Sequence, residues 1–93
     1  MIIYKLIEDY NDDVTKLVIK LCDEIEYDYS SEHIEKSLYQ LFKSDVFICV
    51  GAYSGDSLIG VLAFTLYPEI YNYDIITATE QFWYVEKPYR KGT

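Results

Sequence analysis

Ile75-Ile76-Thr77-Ala78-Thr79-Glu80-Gln81-Phe82-Trp83-Tyr84-Val85 is rich in β-branched and aromatic residues and free of glycine and proline. Such a run reads as one long strand. It leads into Glu86-Lys87-Pro88-Tyr89-Arg90-Lys91-Gly92-Thr93, a proline followed by a basic, glycine-containing turn. A strand that enters such a turn resembles the approach to an anion-binding loop, where a helix start normally supplies free amides and a favourable dipole. The sequence ends before that helix, so the strand has to be placed by what precedes it.

Upstream, Leu58-Ile59-Gly60-Val61-Leu62-Ala63-Phe64 and Val46-Phe47-Ile48-Cys49-Val50 are continuous apolar runs separated by Ser54-Gly55-Asp56-Ser57. Two such runs around a Gly-Asp turn form an antiparallel hairpin, and Pro68 closes the second of them. Glu69 to Asp74 reads as the loop into the long strand. Gly51 and Gly60 fall in or beside strands, where glycine marks a kink, a bulge or a close backbone approach. Earlier still the period changes. Val14, Leu17, Val18, Leu21 and Ile25 recur at helical spacing, behind Asn11 as N-cap and Asp12 and Asp13 in the first turn; the helix is expected over about 12–26. Ser30 or Ser31 caps a second helix with Ile34, Leu38, Leu41 and Phe42 on one face, ending near Lys43 and Ser44. Ile2 to Ile7 is a first strand. The expected fold is α+β, ordered strand-helix-helix-strand-strand-strand, a mainly antiparallel sheet with two helices in one domain spanning residues 1–93.

Composition narrows the partners. Of the 93 residues, 51% are apolar, enough to bury a core, and the net charge is −8. The cations Lys87, Arg90 and Lys91 cluster at the carboxyl end. An acidic chain lacks the basic surface on which phosphate backbones are held, so direct nucleic-acid binding is not expected. Cys22 and Cys49 have no metal-ligand spacing and read as buried free thiols of a reducing compartment. No segment approaches the roughly 18 apolar residues of a membrane span, and the amino terminus has no signal-peptide pattern. The cytoplasm, that of a bacterial host, is the expected location. Eleven tyrosines supply rings that bury carbon while keeping a hydroxyl near water.

The order of elements, with Thr79-Glu80-Gln81-Phe82-Trp83-Tyr84-Val85 leading to Pro88-Tyr89-Arg90-Lys91-Gly92, resembles the GCN5-related N-acetyltransferases (GNAT), especially their short bacterial and bacteriophage members. The Gly-Asp hairpin and Leu58-Ile59-Gly60-Val61 are similar to that family's second and third strands, and Phe82-Trp83-Tyr84-Val85 to its fourth. The likeness covers the amino-terminal half of a complete family domain. It implies that the strand end and following loop, Val85, Arg90, Lys91, Gly92 and Thr93, approach the pyrophosphate of acetyl-coenzyme A. Arg90 would open the family's phosphate loop, with its first glycine falling on Thr93 or, in a shorter loop, on Gly92. The remaining glycine, the phosphate-binding helix and the fifth strand would all lie beyond Thr93. Acetyl-coenzyme A is therefore the expected cofactor of a completed domain, and no cofactor is expected for these residues alone.

The same resemblance makes Glu80 the base that takes a proton from an acceptor amine, against the plainer reading of a solvated strand carboxylate. It also places Glu24, Glu26, Tyr27, Asp28 and Tyr29 beside the acceptor, where their charge would attract a cationic substrate; the alternative is a solvated linker. His33 reads as a surface histidine. Trp83 and Tyr84, with Phe82, are expected to stand partly bare on a sheet face lacking its helix, beside an unpaired strand edge that recruits a protein partner or a second copy. Two function classes stay open: half of an acetyltransferase, inactive alone, or a small acidic phage-encoded protein that binds and inhibits a host defence or nucleic-acid-binding protein.

Overall fold

In the computed structural model, residues 1–90 are described; the expectations placed on Lys91, Gly92 and Thr93 lie outside them. Asn11 starts the first helix as its residue type requires. Its backbone is extended (φ −144°, ψ 155°) and its side-chain oxygen accepts from the N–H groups of Asp13 and Val14 at 3.0 and 3.2 Å. Helix α1 runs Asp12–Glu24, two residues short of the expected end. The cause is Glu26, which takes a left-handed backbone (φ 56°). Tyr27 N–H then reaches back to the Cys22 carbonyl at 2.9 Å and Glu26 N–H to that of Asp23 at 3.2 Å, the two bonds of a Schellman cap built on a glutamate instead of a glycine. Helix α2, Ser31–Phe42, is capped by Ser30, whose hydroxyl accepts from His33 N–H at 3.2 Å.

Four antiparallel strands form one sheet in sequence order: β1 Ile2–Leu6, β2 Phe47–Ser54, β3 Ser57–Pro68 and β4 Ile76–Val85. The β2–β3 turn has Gly55 at φ 60° and no positive φ at Asp56, the glycine-first geometry of a type II′ hairpin. β1 is a residue shorter than expected, although Ile7 N–H still donates to the Cys49 carbonyl at 2.8 Å. β4 likewise begins one residue later, at Ile76.

Both helices lie on one face of the sheet, α1 over β3 and β4 and α2 over β2. The core between them is Val14, Leu17, Leu38, Cys49, Val61 and Ala63, with Ile7, Leu58 and Tyr84 closing its ends. Gly51 sits in this layer, where a Cβ would stand 2.7 Å from Ile7 Cδ1 and 2.9 Å from Leu58 Cδ1 and would make those side-chain ends shift. At Cys49, burial pushes the thiol up to about 11, so it behaves as a small apolar side chain. No helix among the described residues is long and apolar enough to cross a membrane.

One expectation is corrected. Phe82, Trp83 and Tyr84 do not stand bare together. Ala63 pairs with Phe82 while Phe64 pairs with Glu80, so Gln81 is an extra residue, a β-bulge. Beyond the bulge Phe82 and Tyr84 point to the helices, where Tyr84 is 8% exposed, and Trp83 alone points away, 64% exposed. Alternation along a strand sends neighbours to opposite faces, and the bulge sets which of them goes inward.

Candidate functional site

The end of β4 meets the end of α1 at a cleft of about 500 Å³ lined by Leu21, Glu24 and Ile25 from the helix and by Trp83, Tyr84, Val85, Tyr89 and Arg90 from the strand and the turn after it. The ladder fixes its position. Glu86 N–H donates to the Ile59 carbonyl at 2.9 Å, which makes the pairs Tyr84–Val61 and Phe82–Ala63 the hydrogen-bonded ones. Trp83 and Val85 therefore turn their backbone groups outward, to the edge of the sheet that no strand among the described residues covers.

Arg90 folds back over that edge. Its Nε donates to the outward carbonyl of Val85 at 2.7 Å, and its two terminal nitrogens donate to the two oxygens of Glu24, both at 2.7 Å. This planar fork-to-fork match is the strong geometry for an ion pair. The guanidinium also lies 5.2 Å from the Tyr84 ring centroid, within cation–π reach. One helical turn earlier on α1, Lys20 pairs with Glu86 at 3.1 Å. Two oppositely directed ion pairs thus fasten α1 to the segment after β4. These contacts set the electrostatics: the hydrogen bonds and charge of Arg90 hold the Glu24 carboxyl below its usual range, Glu24 raises Arg90 in turn, and Tyr84 is pushed up by burial first and by the Glu24 charge second.

The candidate residues thus fall into groups. Glu24, Trp83, Tyr84, Val85 and Arg90 come together in the cleft. Glu26, Tyr27, Asp28 and Tyr29 form the exposed loop that leaves the same helix end, and there the neighbouring Asp23 carboxylate pushes Tyr29 up. Glu80 stands apart, exposed on the helix-free face opposite Phe64. His33 is exposed on α2, 3.3 Å from the Ser37 hydroxyl. Sequence reasoning missed Leu21, Ile25 and Tyr89 as cleft walls. It also missed that Arg90 is engaged by Glu24, 66 residues away, for which opposite charge was the only available signal.

The sequence matches no family model and no curated protein. The fold is another matter. A possible acetyltransferase from Clostridium difficile superimposes with a TM-score of 0.83 at 18% identity, over 98% of this chain and 61% of its own. A predicted acetyltransferase from Clostridium acetobutylicum, solved with acetyl-CoA, gives 0.72 at 15% identity, over 97% and 63%. A GNAT family acetyltransferase from Staphylococcus aureus gives 0.67 at 17% identity, over 97% and 66%. The 93 residues span about three-fifths of the length of these proteins, and at such identities the likeness speaks to the fold. Across nearly all of its described length, the chain carries the GNAT acetyltransferase fold in a portion that leaves more than a third of each of those proteins unmatched.

Proposed function

We propose that these residues form the acceptor-side portion of an acetyl-coenzyme A-dependent N-acetyltransferase, inactive alone and completed by further polypeptide, whether continuous with the chain or carried by a second molecule. The observation that carries this reading is the fold, shared over 98% of the chain with a possible acetyltransferase. Acetyl-coenzyme A as the cofactor draws support from the C. acetobutylicum structure, solved with it.

In the reaction an amine nitrogen attacks the thioester carbonyl, a C–N bond forms, the C–S bond breaks and coenzyme A leaves as its thiol. Glu80 would take the proton that the amine loses and pass it to solvent, from which the departing thiolate would be protonated. For that role its carboxylate must be partly desolvated, and polypeptide covering the helix-free face would do this. Two features support inactivity in isolation. Within residues 1–90, β4 is followed only by the three-residue turn Lys87–Tyr89, which offers no row of free amides to a pyrophosphate. Arg90, the residue that would open such a loop, is already paired with Glu24. The completing polypeptide would pair with the open edge of β4, as a second copy or as another chain.

A second reading draws on the exposure of Asp23, Glu26 and Asp28. Such a surface suits a phage protein that occupies the basic site of a host nucleic-acid-binding or defence protein. The test is an acetyl-transfer assay that tracks coenzyme A thiol release with a panel of primary amines. The 93 residues alone should release none, and addition of a polypeptide supplying the phosphate-binding helix should start the reaction. Turnover by the chain by itself would contradict the proposal, and no turnover after completion would favour the second reading.

A further inference from the structure

The β3–β4 hairpin outruns its sheet. β2 starts at Phe47, opposite Thr65, and the last bond from that side is Leu66 N–H to the Val46 carbonyl at 2.8 Å, whereas β3 and β4 go on pairing through Tyr67–Thr77 and Pro68–Ile76. The tip beyond them carries Ile70, Tyr71 and Tyr73 at 83%, 94% and 82% exposure, with Ile75 and Ile76 each more than half exposed behind them. Single exposed apolar side chains are ordinary, but a contiguous group on one projection marks a contact surface.

This tip is held in shape. Glu69 N–H donates to the Ile75 carbonyl at 2.7 Å, Ile75 N–H to that of Asn72 at 3.1 Å and Asp74 N–H to Asn72 Oδ1 at 3.0 Å. The Thr77 hydroxyl donates to the Glu69 carboxylate. Rings presented on an ordered loop lose little conformational freedom on docking, which is the condition for a few of them to carry most of a binding energy.

Charge selects the partner class. Between Lys43 and Lys87 the sequence has no cation, while Glu69 and Asp74 sit on the tip and Glu80 on its arm. A knob of this sign is repelled by anionic lipid, by nucleic acid and by the equally acidic tip of a second copy. It complements an apolar pocket with a basic rim. We infer that the β3–β4 tip docks into another protein whose site is an apolar pocket rimmed by Lys and Arg, Tyr71 and its apolar neighbours entering the pocket and Glu69 and Asp74 facing the rim. This surface is distinct from the cleft at the other end of β4 and does not depend on the acetyltransferase reading.

The test places p-benzoylphenylalanine at position 71 in native cells, identifies the crosslinked polypeptide by mass spectrometry and measures its binary affinity for the unmodified chain. The expected result is one basic protein whose binding weakens about 30-fold with Tyr71→Ser, the scale of a hot-spot truncation. Binding should also weaken with added salt and remain unchanged with Tyr4→Ser on β1. Tyr71 touches water almost entirely, so the thermal melt of the variant should match the parent. Crosslinking only to a second copy, Tyr71-dependent sedimentation with phosphatidylserine vesicles, a partner indifferent to Tyr71→Ser, or no crosslinked protein would each overturn the inference.

Discussion

Glu24 and Arg90 show most plainly what single side chains do in this molecule. Their fork-to-fork pair joins the end of α1 to the segment after β4, and it acts on Glu24 with a definite sign. Because the folded carboxyl titrates below its ordinary value of 4.5, the pair contributes stability that is fully present above that value and is lost as pH falls through the lower, folded one. Glu24→Gln should therefore melt below the parent at neutral pH, and the two curves should converge in strong acid; thermal melts at about pH 7 and about pH 2.5 make the comparison. Glu26 offers the opposite case. A left-handed backbone suits glycine and strains a side chain, so Glu26→Gly should raise stability by about 0.5–1 kcal/mol in urea unfolding. A loss of stability would mean that the glutamate side chain holds that turn through contacts of its own.

At the level of helices and strands, local chemistry governs where elements begin. Asn11→Ala removes the acceptor for two N–H groups and should cost about 1 kcal/mol, read from the urea midpoint at constant slope. The start of α1 at Asn11, a cap at Ser30 or Ser31, the Gly55 turn and the order of elements along the chain were all legible in the sequence, since each rests on residues within a few positions of one another. The bulge at Gln81 was not. Read by alternation alone, Phe82-Trp83-Tyr84 is an aromatic strip that leaves open which rings face inward; only the register with β3 sends Phe82 and Tyr84 to the helices and Trp83 outward. The cleft was half legible for the same reason. Trp83, Tyr84, Val85 and Arg90 share one strand end and could be gathered from the sequence, whereas Glu24 arrives by a contact between distant segments that no local pattern records.

Across the described residues, two helices cover one face of a four-stranded sheet, and the other face carries apolar positions at Ile48, Val50, Leu62 and Phe64 with the exposed rings of Tyr4 and Trp83 around them. The outward groups of β4 lie at the same border, and the fold matches acetyltransferases of which it spans about three-fifths. Polypeptide that covered this face would desolvate Glu80, while a helix start beyond the turn at Lys87–Tyr89 would supply the amides a pyrophosphate needs. On the proposed reading, a phosphate brought to Arg90 would have to displace the Glu24 carboxylate from both guanidinium nitrogens. The decisive experiment is a calorimetric titration of acetyl-coenzyme A into the purified 93-residue chain. No binding heat is expected up to millimolar ligand, whereas one-to-one binding at micromolar affinity by this polypeptide alone would contradict the assignment.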